Sequence, residues 1–327
     1  MSKFHNHKLA THEEILMWKY FLKNYTLESI LRDFETFKLS CHSYYNNSIR
    51  IEKLVQSLLS IKFQGSTFSP NFAYTIESEK HPKNIPFYFF RIRKLSNDNY
   101  SQLRILNTTY SNIDLLEIKT INDVWERPVE SINTYQRLNC PKKTVLYTSL
   151  NPTTAMNETR LKPNDLFALI VYKHNTLFRY SDCSRFINFE ELTEEENMKR
   201  YIMFDFLRNE FSRIYPTSYN ESIQYATAYY ISQKFFIGRG SQAIQYSSTR
   251  GLNHINFAFW DSIKEILSFV GFRFCRVVER DGSEFKIEVF ADAFWDDSTN
   301  NFTYHSPFST ESKLIFGDPY LDIMLQK

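Results

Sequence analysis

The spacing of apolar positions changes period several times along the chain, and those changes predict its elements. Between residues 11 and 37 apolar side chains recur at helical spacing. A Thr11/Glu14 capping-box pattern opens a helix through Ile15, Leu16, Trp18, Phe21 and Leu22, and a second stripe runs over Leu27 to Phe37. A third helix is expected over Ile51 to Leu59. Gly65, Ser66, Ser69 and Pro70 break the pattern, and Glu79 to Pro86, with two prolines and two lysines, reads as a surface connection. These breaks set a boundary near residue 80.

Beyond it the period falls to two. Strands are expected over Phe87 to Leu95 (FYFFRIRKL), Val145 to Tyr147, Leu166 to Lys173 (LFALIVYK) and Ala243 to Ser248. A β-hairpin is expected to turn at Asp281-Gly282, with Phe285, Ile287 and Val289 alternating on one face. Two helices interleave with these strands. One starts at Asn151 as N-cap and Pro152 as first helical residue, and continues through Ala155, Met156 and Glu158. The other opens on a Ser218/Glu221 capping box and runs to about Phe236. Residues 96 to 130 read as polar loops, and Ala291 to Lys327 as mixed and loop-rich. The chain divides into a helical N-terminal region (1–80), a core (81–270) and a hairpin with C-terminal segment packed on it (271–327). The fold class is α+β.

Composition narrows the function classes. Lys and Arg total 39 against 37 Asp and Glu, so no global field favours nucleic acid or an anionic membrane. The aromatic fraction, 17%, serves cores first and flat-ring ligands second. Cysteines 41, 140, 183 and 275 are scattered with no zinc spacing, and read as reduced thiols of a cytoplasmic protein. The opening MSKFHNHKLATHEE has no signal-peptide core, and no window approaches a membrane span. His5, His7 and His12 read as solvated imidazoles near a terminus, so no metal is expected.

Candidate chemistry gathers at four places. Arg91 and Arg93 project from one face of a strand, where they either meet solvent or seek carboxylates and phosphates. Arg137-Leu138-Asn139 lies just upstream of Tyr147. Glu158 shares a helical stripe with Ala155, a small residue suited to close packing on a sheet, so the acid there needs a partner or a ligand. Tyr246, Ser247, Ser248 and Asn256 put hydroxyl and amide groups at a strand end and in the adjoining loop. Nearby, Gly238-Arg239-Gly240-Ser241-Gln242-Ala243 spells G-x-G-x-x-A. It stands after a helix and before a strand, the reverse of the dinucleotide-binding order, and is rejected. The acidic run Glu190 to Glu196 reads as a solvated helix face or turn with no function assigned.

In order and spacing, Arg91, Arg137-Leu138-Asn139, Leu146-Tyr147 with Ala155 and Glu158, and Tyr246-Ser247-Ser248 with Asn256 resemble the RES family, over roughly residues 85 to 262. The resemblance implies an ADP-ribosyltransferase-like split sheet that grips NAD, and a toxin of a toxin–antitoxin pair that degrades NAD by phosphorolysis or hydrolysis. It places catalytic roles on Glu158, Arg91 and Ser248. NAD contacts fall on Arg91, Arg93, Arg137, Tyr147, Glu158, Tyr246, Ser247, Ser248 and Asn256. NAD is then a substrate and inorganic phosphate a co-substrate, which Arg93 would help hold. The implied partner is an antitoxin with a helix-turn-helix or related domain, and homo-oligomer formation is left open. Departures are Gln136 for a usual glycine, Ser247 for a usual proline, and Gln242-Ala243-Ile244 for the commoner Asp-Gly-Ile. The alternatives are an ADP-ribosyltransferase acting on a protein or nucleic acid, and a non-catalytic nucleic-acid module built on the arginines and aromatics.

Overall fold

A computed structural model describes residues 12–44, 50–53, 55, 73–76, 88–96, 117–176, 178–184, 186, 188–212, 221–235, 241–248, 254–260 and 262–316. Among these, ten strands join one mostly antiparallel sheet, flanked by helices. The strands are β1 (Ala73–Ile76), β2 (Tyr88–Leu95), β3 (Leu146–Ser149), β4 (Leu166–His174), β5 (Phe178–Asp182), β6 (Ala243–Ser247), β7 (Ile255–Phe259), β8 (Leu267–Asp281), β9 (Glu284–Asp296) and β10 (Asn301–His305). Their order is β1-β5-β6-β7-β3-β2-β4-β8-β9-β10, and only β5 and β6 run parallel.

The helices are α1 (His12–Leu22), α2 (Leu27–Tyr44), α3 (Pro152–Glu158), α4 (Glu194–Ser212), α5 (Glu221–Phe235), α6 (Ile263–Ile266) and α7 (Thr310–Phe316). Residues 51–53 and 55 are helical, while the rest of the third expected helix lies outside the described residues. So do Thr11, Phe87, Ser218, Gly238, Gly240 and Gly251. The N-terminal region is not helical throughout, because β1 pairs with β5 at the sheet edge.

The sheet is nearly parted in the middle. Along the junction of β2 with β3 only Phe90 and Ser149 stand in register, whereas β2 pairs with β4 along all eight residues from Tyr88 to Leu95. Strand alternation explains the three apolar clusters. Phe89, Leu166, Ala168, Ile170, Phe257 and Phe259 share one cluster. The opposite parity divides: Ile244, Tyr246 and Ala258 pack with α1, α2 and α4 residues, while Phe90, Phe167, Leu169 and Val171 pack with α3 through Ala155 and Met156.

The acidic run is the exposed turn and helix start expected of it: Thr193 and Glu196 form a reciprocal capping box that starts α4, with Glu196 Oε2 accepting the Thr193 N–H at 2.8 Å. One expectation changes. The region after Ala291 is not loop-rich at first, since β9 continues to Asp296, β10 pairs with it and α7 follows. A buried ion pair holds this part. Arg273 meets Asp292 at 2.8 Å (Nε to Oδ1) and 3.1 Å (Nη2 to Oδ2) on directly paired positions of β8 and β9. Among the described residues no helix is long and apolar enough to cross a membrane. Cys140, Cys183 and Cys275 are free thiols.

Candidate active site

The carboxylate comes first, because local structure fixes it. Asn151 Oδ1 accepts the Thr153 N–H at 2.7 Å and Pro152 leads the helix, as their residue types dictate. Helix α3 is only seven residues long, so Glu158 is its last residue rather than a mid-helix one. The hairpin tip ties down this end. Arg280 donates to the Leu161 carbonyl at 2.9 Å and to Asn157 Oδ1 at 3.2 Å, and Asn157 donates back to the Ser283 carbonyl at 3.0 Å. Gly282, with φ of 57°, makes the tight two-residue turn that brings Arg280 and Ser283 together. Across the cleft floor, Asn256 Nδ2 donates to Glu158 Oε1 at 2.8 Å, and Ser149 Oγ donates to Asn256 Oδ1 at 2.5 Å.

The two strand arginines part company. Arg91 lines the cleft and donates to the Trp125 carbonyl. It also bonds the Tyr172 hydroxyl, which donates to the Val124 carbonyl; burial pushes Tyr172 up to about 12, with Arg91 working against the rise. Arg93 is turned to structural use. Its Nη1 donates to the Asp123 carbonyl at 2.7 Å, and it does not line the cleft. Burial lowers its pKa, and the Asp123 carboxylate opposes that. Burial also pushes Asp123 up, but the N–H groups of Thr120 and Lys119, the Thr120 hydroxyl and Arg93 outweigh it and hold the carboxyl below its usual range.

Arg137 reaches the cleft from a loop that Tyr147 anchors. The Tyr147 hydroxyl accepts the Leu138 N–H at 3.1 Å and donates to Asn139 Oδ1 at 2.9 Å. Its oxygen is therefore engaged, and burial holds its pKa well above the phenol range despite the Leu138 N–H and Arg137. What Tyr147 presents to a ligand is its ring. Arg137 itself, half-buried, makes no hydrogen bond or ion pair with a described residue. Two further arginines, Arg127 and Arg160, line the same cleft, their side chains exposed and equally unpaired. Sequence reading missed both: Arg127 lies in an aperiodic passage before Pro128, and Arg160 just past the helix end, at φ of 55°.

From the opposite side comes Tyr246 on β6. Burial raises its pKa well above the usual value; nearby Tyr147 and Glu158 add to the rise and Arg137 offsets part of it. Ser247 and Ser248 stand apart. Ser247 Oγ donates to the Ser184 carbonyl at 3.3 Å, and Ser248, buried past the strand end, donates its N–H to the His254 carbonyl at 2.8 Å. Neither lines the cleft.

The result is a cleft of about 500 Å³ where β2 and β3 part, within the range of small-molecule sites. Arg91, Arg137, Tyr147, Glu158, Tyr246 and Asn256, expected from four separate stretches, all line it. Four guanidiniums face it with one carboxylate, the charge pattern for an anionic ligand with a reacting centre beside the acid. Among the described residues no group of three or more His, Cys, Asp or Glu side chains is arranged to hold a metal ion. Comparison with protein-family models finds no match, and a search of curated proteins finds no relative.

Proposed function

We propose that the chain is an RES-type enzyme that breaks the nicotinamide–ribose bond of NAD, with an ADP-ribosyltransferase-like split sheet as its frame. The observation that carries this reading is the convergence of Arg91, Arg137, Tyr147, Glu158, Tyr246 and Asn256 on one cleft at the parted β2/β3 junction. In this reading Arg137 and Arg91 hold the pyrophosphate, since a planar guanidinium meets two phosphate oxygens at once. The Tyr147 ring stacks on nicotinamide. As the glycosidic bond breaks, its electron pair leaves on the nicotinamide nitrogen and neutralises the ring. Positive charge develops on the ribose, where Glu158 stabilises it and bonds the sugar hydroxyls. Because nicotinamide departs neutral, no strong general acid is needed. Either water, releasing one proton to solvent, or an unprotonated oxygen of inorganic phosphate then forms the new bond to the ribose carbon. Ser248 carries no step here, because it stands outside the cleft lining.

Depletion of NAD makes such an enzyme a toxin, and a protein that covers the cleft its antitoxin. The test is incubation of the purified chain with NAD, with and without phosphate, and identification of the products by mass. ADP-ribose, or its phosphorylated form, is expected. An adduct on a macromolecule would turn the reading to ADP-ribosyl transfer. Intact NAD in both mixtures, with wild type as harmless to cells as Glu158→Ala, would sink it.

A further inference from the structure

We infer that Ser149 is a positioning residue, which fixes the orientation of the Asn256 amide and through it the aim of Glu158; this deepens the reading of Glu158 as the acid of NAD cleavage. Ser149 occupies a singular place in the fold. It stands opposite Asn256 on β7 and opposite Phe90 on β2, so it is the residue at which the two halves of the sheet meet. Its side chain is buried (3% exposed), as is that of Asn256 (2%).

An amide presents two unlike ends, and only its NH2 end can face a carboxylate; its oxygen there would repel. Nothing in Asn256 alone selects the productive end. The Glu158 carboxylate does, by accepting from Nδ2 at 2.8 Å, and the Ser149 hydroxyl then fixes the amide in that pose by donating to Oδ1 at 2.5 Å. No other hydrogen bond is available to the Ser149 hydroxyl among the described residues, so its proton is committed to this one. Glu158 Oε1 is thereby held, and Oε2, without a bond to any described residue, remains for the ligand. Asn256, expected to contact NAD, acts instead through Glu158. A chain of one buried and one part-buried bond gives directional control that a solvated glutamate at a helix end lacks.

The test compares full-length Ser149→Ala, Ser149→Thr and Asn256→Asp with wild type. Ser149→Ala is expected to lower kcat for NAD cleavage about 10- to 100-fold with KM within about twofold, the size and split of a lost orienting bond. Ser149→Thr, which keeps the hydroxyl, restores most of the rate. Asn256→Asp, which sets a carboxylate against Glu158, loses more than Ser149→Ala. Independently of any NAD chemistry, the Asn256 side-chain amide protons exchange slowly with solvent in wild type and Ser149→Thr, and rapidly in Ser149→Ala, by NMR. Wild-type kcat in Ser149→Ala would overturn the inference. So would equal losses in the Ala and Thr variants that follow a common drop in melting temperature, or an Asn256 amide indifferent to Ser149. If wild type leaves NAD intact, the enzymatic reading falls, and the amide exchange still decides whether Ser149 orients Asn256.

Discussion

Glu158 stands in a bonded setting, held by Asn256 and Ser149 on one side and by a helix end that Arg280 ties down on the other. The side chain of Arg137, across the same cleft, makes no hydrogen bond or ion pair with a described residue, and the exposed side chains of Arg127 and Arg160 repeat that state. The difference assigns two kinds of work. An acid that must meet developing charge gains from being fixed beforehand, since its alignment is then complete before the substrate arrives. Cations that seize phosphates gain from having no competing partner, since none has to be displaced.

If that division is right, changes on the acid wall act on rate and changes on the cationic wall act on affinity. Glu158→Gln gives the largest effect, a fall in kcat of about 10²- to 10³-fold by analogy with loss of one transition-state contact, with NAD affinity near wild type by calorimetry. A parallel loss of affinity would break the comparison. Arg137→Ala comes next, raising KM for NAD about 10- to 100-fold through loss of a charged hydrogen bond of about 1.5 to 3 kcal/mol, with a smaller change in kcat. Arg280→Ala removes the tie on α3. It is expected to destabilise the fold by about 1 to 3 kcal/mol, by leaving the Leu161 carbonyl and Asn157 amide short of a partner, and to lower kcat more than it raises KM. The Arg127→Gln/Arg160→Gln pair weakens NAD affinity only a few-fold, because solvent and salt screen exposed cations, and flattens the salt dependence of KM while the melting temperature holds.

The smallest effect belongs to Asp123, which separates the structural arginine from the cleft ones. Its carboxyl is held below the usual range, so its contribution to stability is present above the unfolded value, near 3.9, and is lost as pH falls through the lower folded value. Denaturant melts of Asp123→Asn against wild type should therefore differ at neutral pH and converge below that window. KM for NAD should be unchanged.

Elements with a short-range grammar were legible in the sequence. The Asn151-Pro152 start of α3, the aromatic run of β2, the continuous apolar run of β4 and a hairpin turn at Gly282 each follow from residue types within a few positions. Arg91, Tyr147, Glu158 and Tyr246 were legible for the same reason, as each belongs to an expected strand or capped helix, whereas Arg137 stands on a loop and Asn256 on β7, a strand that read as loop. Strand alternation correctly puts Arg93 beside Arg91, but cannot show that the turn at Ile121–Val124 supplies Arg93 with the Asp123 carbonyl. Ser149 was overlooked, since its importance comes from standing opposite residues 59 positions upstream and 107 downstream. The tail beyond Ala291 read as loop because Asp292 is an improbable strand interior until Arg273 neutralises it from the neighbouring strand.

The tie between the hairpin tip and α3 also has a consequence in time. Asn157 and Ser283 lie 126 residues apart, so a ribosome adding roughly 5 to 20 residues per second takes on the order of 6 to 25 seconds to pass from one to the other. Throughout that interval the nascent chain already contains every arginine of the cleft and Glu158, with nothing to lock the helix on which the acid stands. A chain truncated before Arg280 would present the whole set of cleft residues and an unsecured acid. This ordering delays a secured Glu158 until the hairpin tip has been made.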